Sequence, residues 1–209
     1  MTNISWTKQD FQVFEIEGLD ARMNALTEVV RPKFHALGEH FSSIFSASSG
    51  DEFFPHVAKH ARRTINPPKD SWVAFAPYKR GYKSLPHFQI GLWGTHLFIV
   101  VAVIYEAPNK KEMAENLLQN MDVFNNIDET FSISSDHMSP LYEKVQNTSK
   151  EEQLTKVLTR LRDVKKGEFL IGRYLTVEEA IALTEEQFMA LATNTFESLM
   201  PIYNVMTNK

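Results

Sequence analysis

Lysine and arginine side chains are concentrated in the segment 56–89, where they could bind an anion. This segment contains seven Lys or Arg and one Asp, so its net charge is +6; the whole chain carries −4, and the remainder therefore −10. Fields from clustered like charges add, so a basic island in an acidic chain favours an anion site. Arginine offers a planar fork to phosphate or carboxylate, and lysine offers a point charge.

Two loops rich in proline carry most of these cations. Arg62, Arg63 and Lys69 flank two consecutive prolines, and Arg80 and Lys83 follow in the next loop. Aromatic side chains lie among the cations, which is typical of the walls of a pocket, whereas a solvated surface with structural ion pairs is the alternative. The predicted ligand-binding residues are Arg62, Arg63, Lys69, Trp72, Arg80, Tyr82, Lys83, His87, Gln89, Trp93 and Arg173.

A polar row follows on the next predicted strand. His87, Gln89 and Trp93 alternate with apolar residues and therefore share one face. The row lines a cavity floor if both faces of the sheet are covered, and otherwise it is the solvent face. Gly91 within it leaves room for a ligand or a bulge. His87 is the candidate general acid or base if the protein is an enzyme.

Arg173 lies inside an apolar run, where a charge usually has a partner or a ligand. Two other groups of residues favour ordinary structural roles. His56 and His60 are four residues apart on a predicted helix, but no acidic third ligand is visible, so no metal site is predicted. Asp136 and His137 resemble half of a catalytic relay, but neighbouring residues at a strand end point apart. We therefore interpret them as polar loop residues.

Composition and motifs exclude several classes of protein. The absence of cysteine excludes disulfides and thiolate metal sites. The longest apolar run, Leu97–Tyr105, is nine residues, whereas a membrane helix needs about 20. The N-terminus shows no signal-peptide pattern, so a cytoplasmic location is expected. A pI near 6.0 argues against generic coating of nucleic acid.

Hydrophobic periodicity predicts the elements that position these residues. Helical spacing from Leu19 to Phe45, divided by Pro32, is followed by a helix capped by Asp51. Strands are predicted at 72–76, 88–93 and 97–105, the last two joined as a hairpin at Gly94. Ser139 and the proline after it predict a further helix start. Later predictions are helices at 110–124, 149–166 and 185–206 and strands at 130–134 and 169–175. This order predicts an α+β fold, a single domain over 1–209, whose antiparallel sheet is covered by helices mainly on one face.

Five segments carry a family resemblance: TKQDFQVFEIEGLDARM, ARRTINPPKDSWVAF, RGYKSLPHFQIGLW, THLFIVVAVIYE and GEFLIGR. Through them the chain resembles, over nearly its whole length, the uncharacterised bacterial YktB-like family. The resemblance implies a cytoplasmic α+β protein of a Gram-positive-type bacterium. It implies no activity and supplies no catalytic residue.

Three hypotheses about function follow from the residues. The first is a module that binds a small or nucleotide-like anion in a basic, aromatic-lined cleft. The second is an enzyme acting on a phosphorylated or carboxylate ligand, with His87 as acid or base. The third is an RNA or protein interaction surface without a cleft. The sequence leaves the ligand, any cofactor and the oligomeric state open.

Overall fold

The computed structural model describes residues 4–209. Its helices are α1 Lys8–Gln12, α2 Leu19–Ala25, α3 Arg31–Ser49, α4 Lys110–Gln119, α5 Lys150–Asp163, α6 Val177–Ala182 and α7 Glu185–Met206. Its strands are β1 Phe54–Val57, β2 Asp70–Ala76, β3 His87–Trp93, β4 His96–Val103, β5 Ser132–Ser134, β6 Glu143–Lys144 and β7 Phe169–Thr176. They form one seven-stranded antiparallel sheet in the order β1-β2-β3-β4-β7-β5-β6. The predicted α+β class is confirmed.

The predicted hairpin forms β3 and β4, which are neighbours in the sheet. Every residue of both strands is buried, as the unbroken apolar run of β4 predicts. The space above Gly91 is filled, because a Cβ at that position would overlap the ring of Phe98. Gly172 on β7 is equally constrained, since a Cβ there would lie 2.7 Å from the Cα of Val100 on β4. These glycines serve close packing, and Gly91 leaves no room for a ligand.

The long N-terminal helical stretch divides near Pro32, as predicted. A π-helical turn, Leu26–Val30, separates α2 from α3, and Pro32 lies in the first turn of α3. The π-helical turn directly before Pro32 shifts the hydrogen-bond pattern of the helical stretch where the proline N–H is missing. The helix ends at Gly50, whose φ of 76° is left-handed.

The predicted helix after Asp51 is wrong, because Phe54–Val57 forms β1. This strand pairs antiparallel with β2 and is the first in the sheet order, an edge at which proline is tolerated. Helix α3 packs on both strands. Gly38 allows the approach, since a Cβ there would lie 2.9 Å from Cβ of Pro55. Tertiary packing therefore overrides the helical spacing of this segment.

Two other predictions of local helical structure are also wrong. His56 lies on β1, and His60 follows it with a left-handed φ of 50°, so the two histidines do not share a helix face. Ser139 does not begin a helix, since the chain leads instead into β6, which pairs with β5. Strand pairing holds both segments in place of the predicted helices.

Two lysines hold helices in place through short hydrogen bonds. Lys33 donates to Oδ2 of the fully buried Asp10 at 2.6 Å, and the same oxygen accepts from the N–H and hydroxyl of Thr7 at 2.7 and 2.8 Å. Lys110 donates to three carbonyls at the end of α5, those of Leu161, Val164 and Gly167, at 2.8, 2.6 and 3.1 Å. The cation thus bonds the Leu161 carbonyl in the last turn of α5 and two carbonyls of the turn that follows, where a positive charge is favourable.

The residues group into two compact units. One comprises the residues up to Arg80, Gln89–Phe98 and Leu175–Ala192; the other comprises Gly81–Phe88, Ile99–Tyr174 and Thr193–Lys209. Within residues 4–209, no helix has the length and apolar character that a membrane crossing requires. A single domain with its helices mainly on one face of the sheet stays a prediction.

Candidate functional site

The connection between β1 and β2, residues 58–69, is named here the basic loop. It contains no Asp or Glu and four cationic residues: Lys59, Arg62, Arg63 and Lys69. Arg62 and Lys69 are exposed, and Arg63 is half-buried. Three of the predicted ligand-binding residues therefore lie on one open loop, which the β1–β2 hairpin presents.

Two arginines from the N-terminal helices hold the basic loop at both ends. Arg31 on α3 donates through Nη2 to the carbonyl oxygen of Lys59 at 3.0 Å. Arg22 on α2 donates through Nη1 to the carbonyl oxygen of Pro68 at 2.8 Å, and through Nε to that of Ile16 at 2.8 Å. The loop is therefore anchored before any ligand arrives, which lowers the cost of ordering it on binding.

Arg22 is a member of the site that the sequence did not reveal. Burial lowers the pKa of Arg22, and the positive charge of Arg63 lowers it further, so the two guanidinium groups repel each other. Within residues 4–209, no carboxylate forms an ion pair with Arg22, Arg62, Arg63 or Lys69. Like charges held together without a counter-charge favour an anion from outside the chain.

Trp72 lies at the base of the basic loop and is half-buried. The ring of His60 packs edge-on against it at 5.6 Å, and Nε2 of His60 lies 3.3 Å from the hydroxyl oxygen of Ser71. The predicted indole and the loop cations therefore belong to the same hairpin.

The second predicted loop carries Arg80, Tyr82 and Lys83. Arg80 is exposed, whereas Lys83 lies 3.5 Å from a carboxylate oxygen of Glu106 in a half-exposed ion pair. The ring of Tyr82 packs edge-on against His87 at 5.0 Å. Lys83 thus forms a structural ion pair, as expected if this loop is a solvated surface and not the wall of a pocket. That the two loops share one cavity stays a prediction.

The polar row on β3 is enclosed. His87, Gln89 and Trp93 are 0, 6 and 8 % exposed, so the row is not a solvent face. Nδ1 of His87 lies 2.8 Å from the carbonyl oxygen of Leu85, and since a carbonyl only accepts, Nδ1 donates the proton. A buried imidazole bonded to a backbone carbonyl is typical of a structural histidine. A cavity lined by this row stays a prediction.

Arg173 has partners within its own strand neighbourhood. Its guanidinium lies 5.1 Å from the centre of the Phe131 ring. A hydrogen bond from Thr130 is the main cause that lowers the pKa of Asp128, and the charge of Arg173 adds to it. These contacts give the charge a structural explanation, and a ligand-binding role for Arg173 stays a prediction.

A buried His–Glu pair is the second feature that sequence reasoning missed. Glu168 is 2 % exposed, and both its oxygens lie close to Nδ1 of His137, at 2.8 and 2.9 Å. The N–H of His137 donates to Oε2 at 2.7 Å, and the N–H of Tyr105 donates to Oε1 at 3.2 Å. Burial acts to raise the pKa of Glu168, but the hydrogen bonds and charge of His137 outweigh it, so the pKa lies below its ordinary value. The signal for this pair in the sequence was Glu168 itself, a carboxylate directly before the apolar start of β7.

Comparison with known proteins places the chain in a family. The sequence pattern described as "Domain of unknown function (DUF1054)" matches residues 6–203. The chain belongs to this family. The predicted resemblance to an uncharacterised bacterial family is thereby confirmed.

Relatives match the DUF1054 chain along almost its whole length. A UPF0637 protein of Lysinibacillus sphaericus (strain C3-41) is 60% identical over 209 residues, covering 100% of this chain and 99% of the relative. UPF0637 proteins of Bacillus thuringiensis (strain Al Hakam) and Macrococcus caseolyticus (strain JCSC5402) are 48% and 47% identical, each over 97% of this chain and 98% and 100% of the relative. These names describe no activity, so the function of the DUF1054 domain must be argued from its side chains.

Proposed function

We propose that this protein binds a phosphate-bearing, nucleotide-like ligand at the basic loop, in the cytoplasm. One observation carries the proposal: Arg22 bonds to a loop with four cations and no carboxylate, where the charge of Arg63 lowers its pKa. Phosphate oxygens would neutralise this repulsion, and the guanidinium fork matches their geometry.

The surroundings of the loop support the nucleotide-like part of the proposal. Trp72 is half-buried at the base of the loop, so an aromatic residue remains partly accessible beside the cations. Bases stack on such faces whatever their sequence, while neighbouring cations contact the phosphates. Arg62 and Lys69 are exposed and can reach a phosphate. Such a phosphate would also offset the repulsion between Arg63 and Arg22.

A longer phosphate chain, RNA, is the second candidate. The observation that favours it is exposure, since Arg62, Lys69 and the neighbouring Ile65, which is 79 % exposed, form an open surface. The enzyme hypothesis with His87 gains no such support, because its imidazole is fully buried and bonded to a carbonyl.

Thermal-shift and anisotropy measurements test the proposal. Pyrophosphate, ATP and a labelled single-stranded RNA are the probes. A ligand at 100 times its Kd stabilises by about 2.7 kcal/mol, which raises Tm by roughly 5–10 °C for a chain of this size. The double variant Arg62→Gln, Arg63→Gln should lose the shift. The matched control Lys165→Gln, Lys166→Gln removes the same charge from another exposed segment and should keep it.

The results separate the candidates. A shift with pyrophosphate and ATP supports the small ligand, and binding of RNA alone supports the second candidate. The proposal is wrong if none of the probes binds, or if the two double variants weaken binding equally, because general charge and not the loop would then explain it.

A further inference from the structure

The antiparallel register of β5 and β7 brings three chemically active side chains together. Ser134 pairs with Leu170 and Ser132 with Gly172, so continuing the register places Asp136 opposite Glu168. His137 follows directly and turns its ring onto the Glu168 carboxylate. In chain order, Glu168 lies 31 positions after His137. We refer to Asp136, His137 and Glu168 as the Asp–His–Glu cluster.

The cluster has a donor set suited to a metal ion. Asp136, His137 and Glu168 each offer one ligand atom, and these three atoms lie within 4.8 Å of one another. Imidazole nitrogen and carboxylate oxygen bind Zn²⁺ at about 2.0–2.2 Å, which puts neighbouring ligand atoms roughly 3–3.5 Å apart. The 2.8 Å between Nδ1 of His137 and Oε1 of Glu168 is already close to this separation.

We propose that Asp136, His137 and Glu168 bind a divalent transition-metal ion of the Zn²⁺ type. The ion takes the place of the proton that Nδ1 of His137 now shares with Glu168, and that proton moves to Nε2. One imidazole with two carboxylates favours Zn²⁺ or Mn²⁺ over Mg²⁺, which prefers oxygen ligands alone. This proposal departs from the sequence expectation that the chain holds no metal site.

The three ligands differ in burial in a way that suits binding from solvent. Glu168 is 2 % exposed and is held by the N–H groups of Tyr105 and His137, so its position is fixed before the ion enters. Asp136 is exposed and borders a groove of about 700 Å³. The ion can therefore enter from the side of Asp136, whose exposed carboxylate lies within 4.8 Å of the other two ligand atoms.

Titration of the metal-free full-length chain with Zn²⁺ tests the site. Isothermal titration should show one ion per chain with a Kd in the micromolar range, and Mg²⁺ should not compete. Asp136→Asn should weaken binding about tenfold or more, and His137→Gln should abolish it. Asp136 is exposed, so its variant is expected to fold and keeps the test valid even if a Glu168 variant does not.

A matched control uses a histidine outside the cluster. His40 on α3 is exposed, and His40→Gln should leave the Zn²⁺ affinity unchanged. Anomalous diffraction at the zinc edge should place the ion within bonding distance of His137. The proposal is overturned if Zn²⁺ does not bind at millimolar concentration, if both cluster variants bind as wild type does, or if His40→Gln removes the binding.

Discussion

Acidification should destabilise this protein through His96, and the size of the effect follows from its burial. His96 is 3 % exposed on β4, where its ring stacks on Trp93 at 6.3 Å and Nδ1 lies 2.9 Å from the hydroxyl oxygen of Thr95. Burial lowers the pKa of His96 from its ordinary value of 6.5 to about 4. On acidification, His96 therefore binds a proton near pH 6.5 in the unfolded chain but only near pH 4 in the folded chain.

The sign and magnitude of the effect follow from proton linkage. Above pH 6.5 both states are neutral at His96, and below it the unfolded state binds more protons, so stability falls as the pH falls. Each pH unit in this window costs about 1.4 kcal/mol, and the loss between pH 7.5 and 4.5 is about 2.5 kcal/mol.

Urea unfolding followed by tryptophan fluorescence measures this loss. Wild type and His96→Gln are compared at pH 7.5, 6.5, 5.5 and 4.5, so that groups shared by both proteins cancel. The free-energy difference between them should shift by about 2.5 kcal/mol in favour of the variant over this range. His35→Gln, at an exposed histidine, is the control and should follow wild type. Parallel curves for wild type and His96→Gln would refute the reasoning, as would an NMR titration of His96 near pH 6.5.

Three further substitutions should change stability by different mechanisms, each measured by urea unfolding at pH 7.5. Gly172→Ala should destabilise by about 3 kcal/mol or more, because the new methyl meets the backbone of the neighbouring strand; unchanged stability would contradict that contact. Lys110→Met should cost about 1–3 kcal/mol by removing the donor that Leu161 of α5 and the following Val164 and Gly167 carbonyls share, whereas Lys111→Met, at a side chain 71% exposed, should change stability little. Lys33→Met should cost about 3–5 kcal/mol because Asp10 stays buried without its cation, and a smaller loss in the double variant with Asp10→Asn would show the coupling.

The parts of the fold that sequence predicted well depend on local chemistry. The capping box of Thr176 and Glu179 depends only on residues three apart in the chain, with Glu179 accepting from the Thr176 N–H at 2.8 Å. The hairpin of β3 and β4 follows from an apolar run and a short turn. In such cases, neighbouring residues supply the whole energetic reason for the structure, so the pattern is sufficient.

The features that the sequence did not predict depend on contacts between segments far apart in the chain. Phe54–Val57 has helical spacing but becomes a strand because α3 and β2 pack on it. Arg22 comes within the influence of the Arg63 charge only because α2 bonds to the basic loop 46 residues further along the chain. His137 finds Glu168 through the register of β5 and β7, which no pattern within either segment reveals. The sequence therefore located the cations of the basic loop but could not supply their neighbours.

Both outer strands of the described sheet are poor templates for further pairing. At one edge, β1 has four residues, and Pro55 among them has no N–H to donate. At the other edge, β6 has two residues, both charged and exposed. Short, proline-bearing or charged edges resist the addition of a strand from another molecule. The buried apolar run of β4 is thereby shielded from fibril growth, and concentrated solutions of the folded chain should stay free of cross-β aggregates.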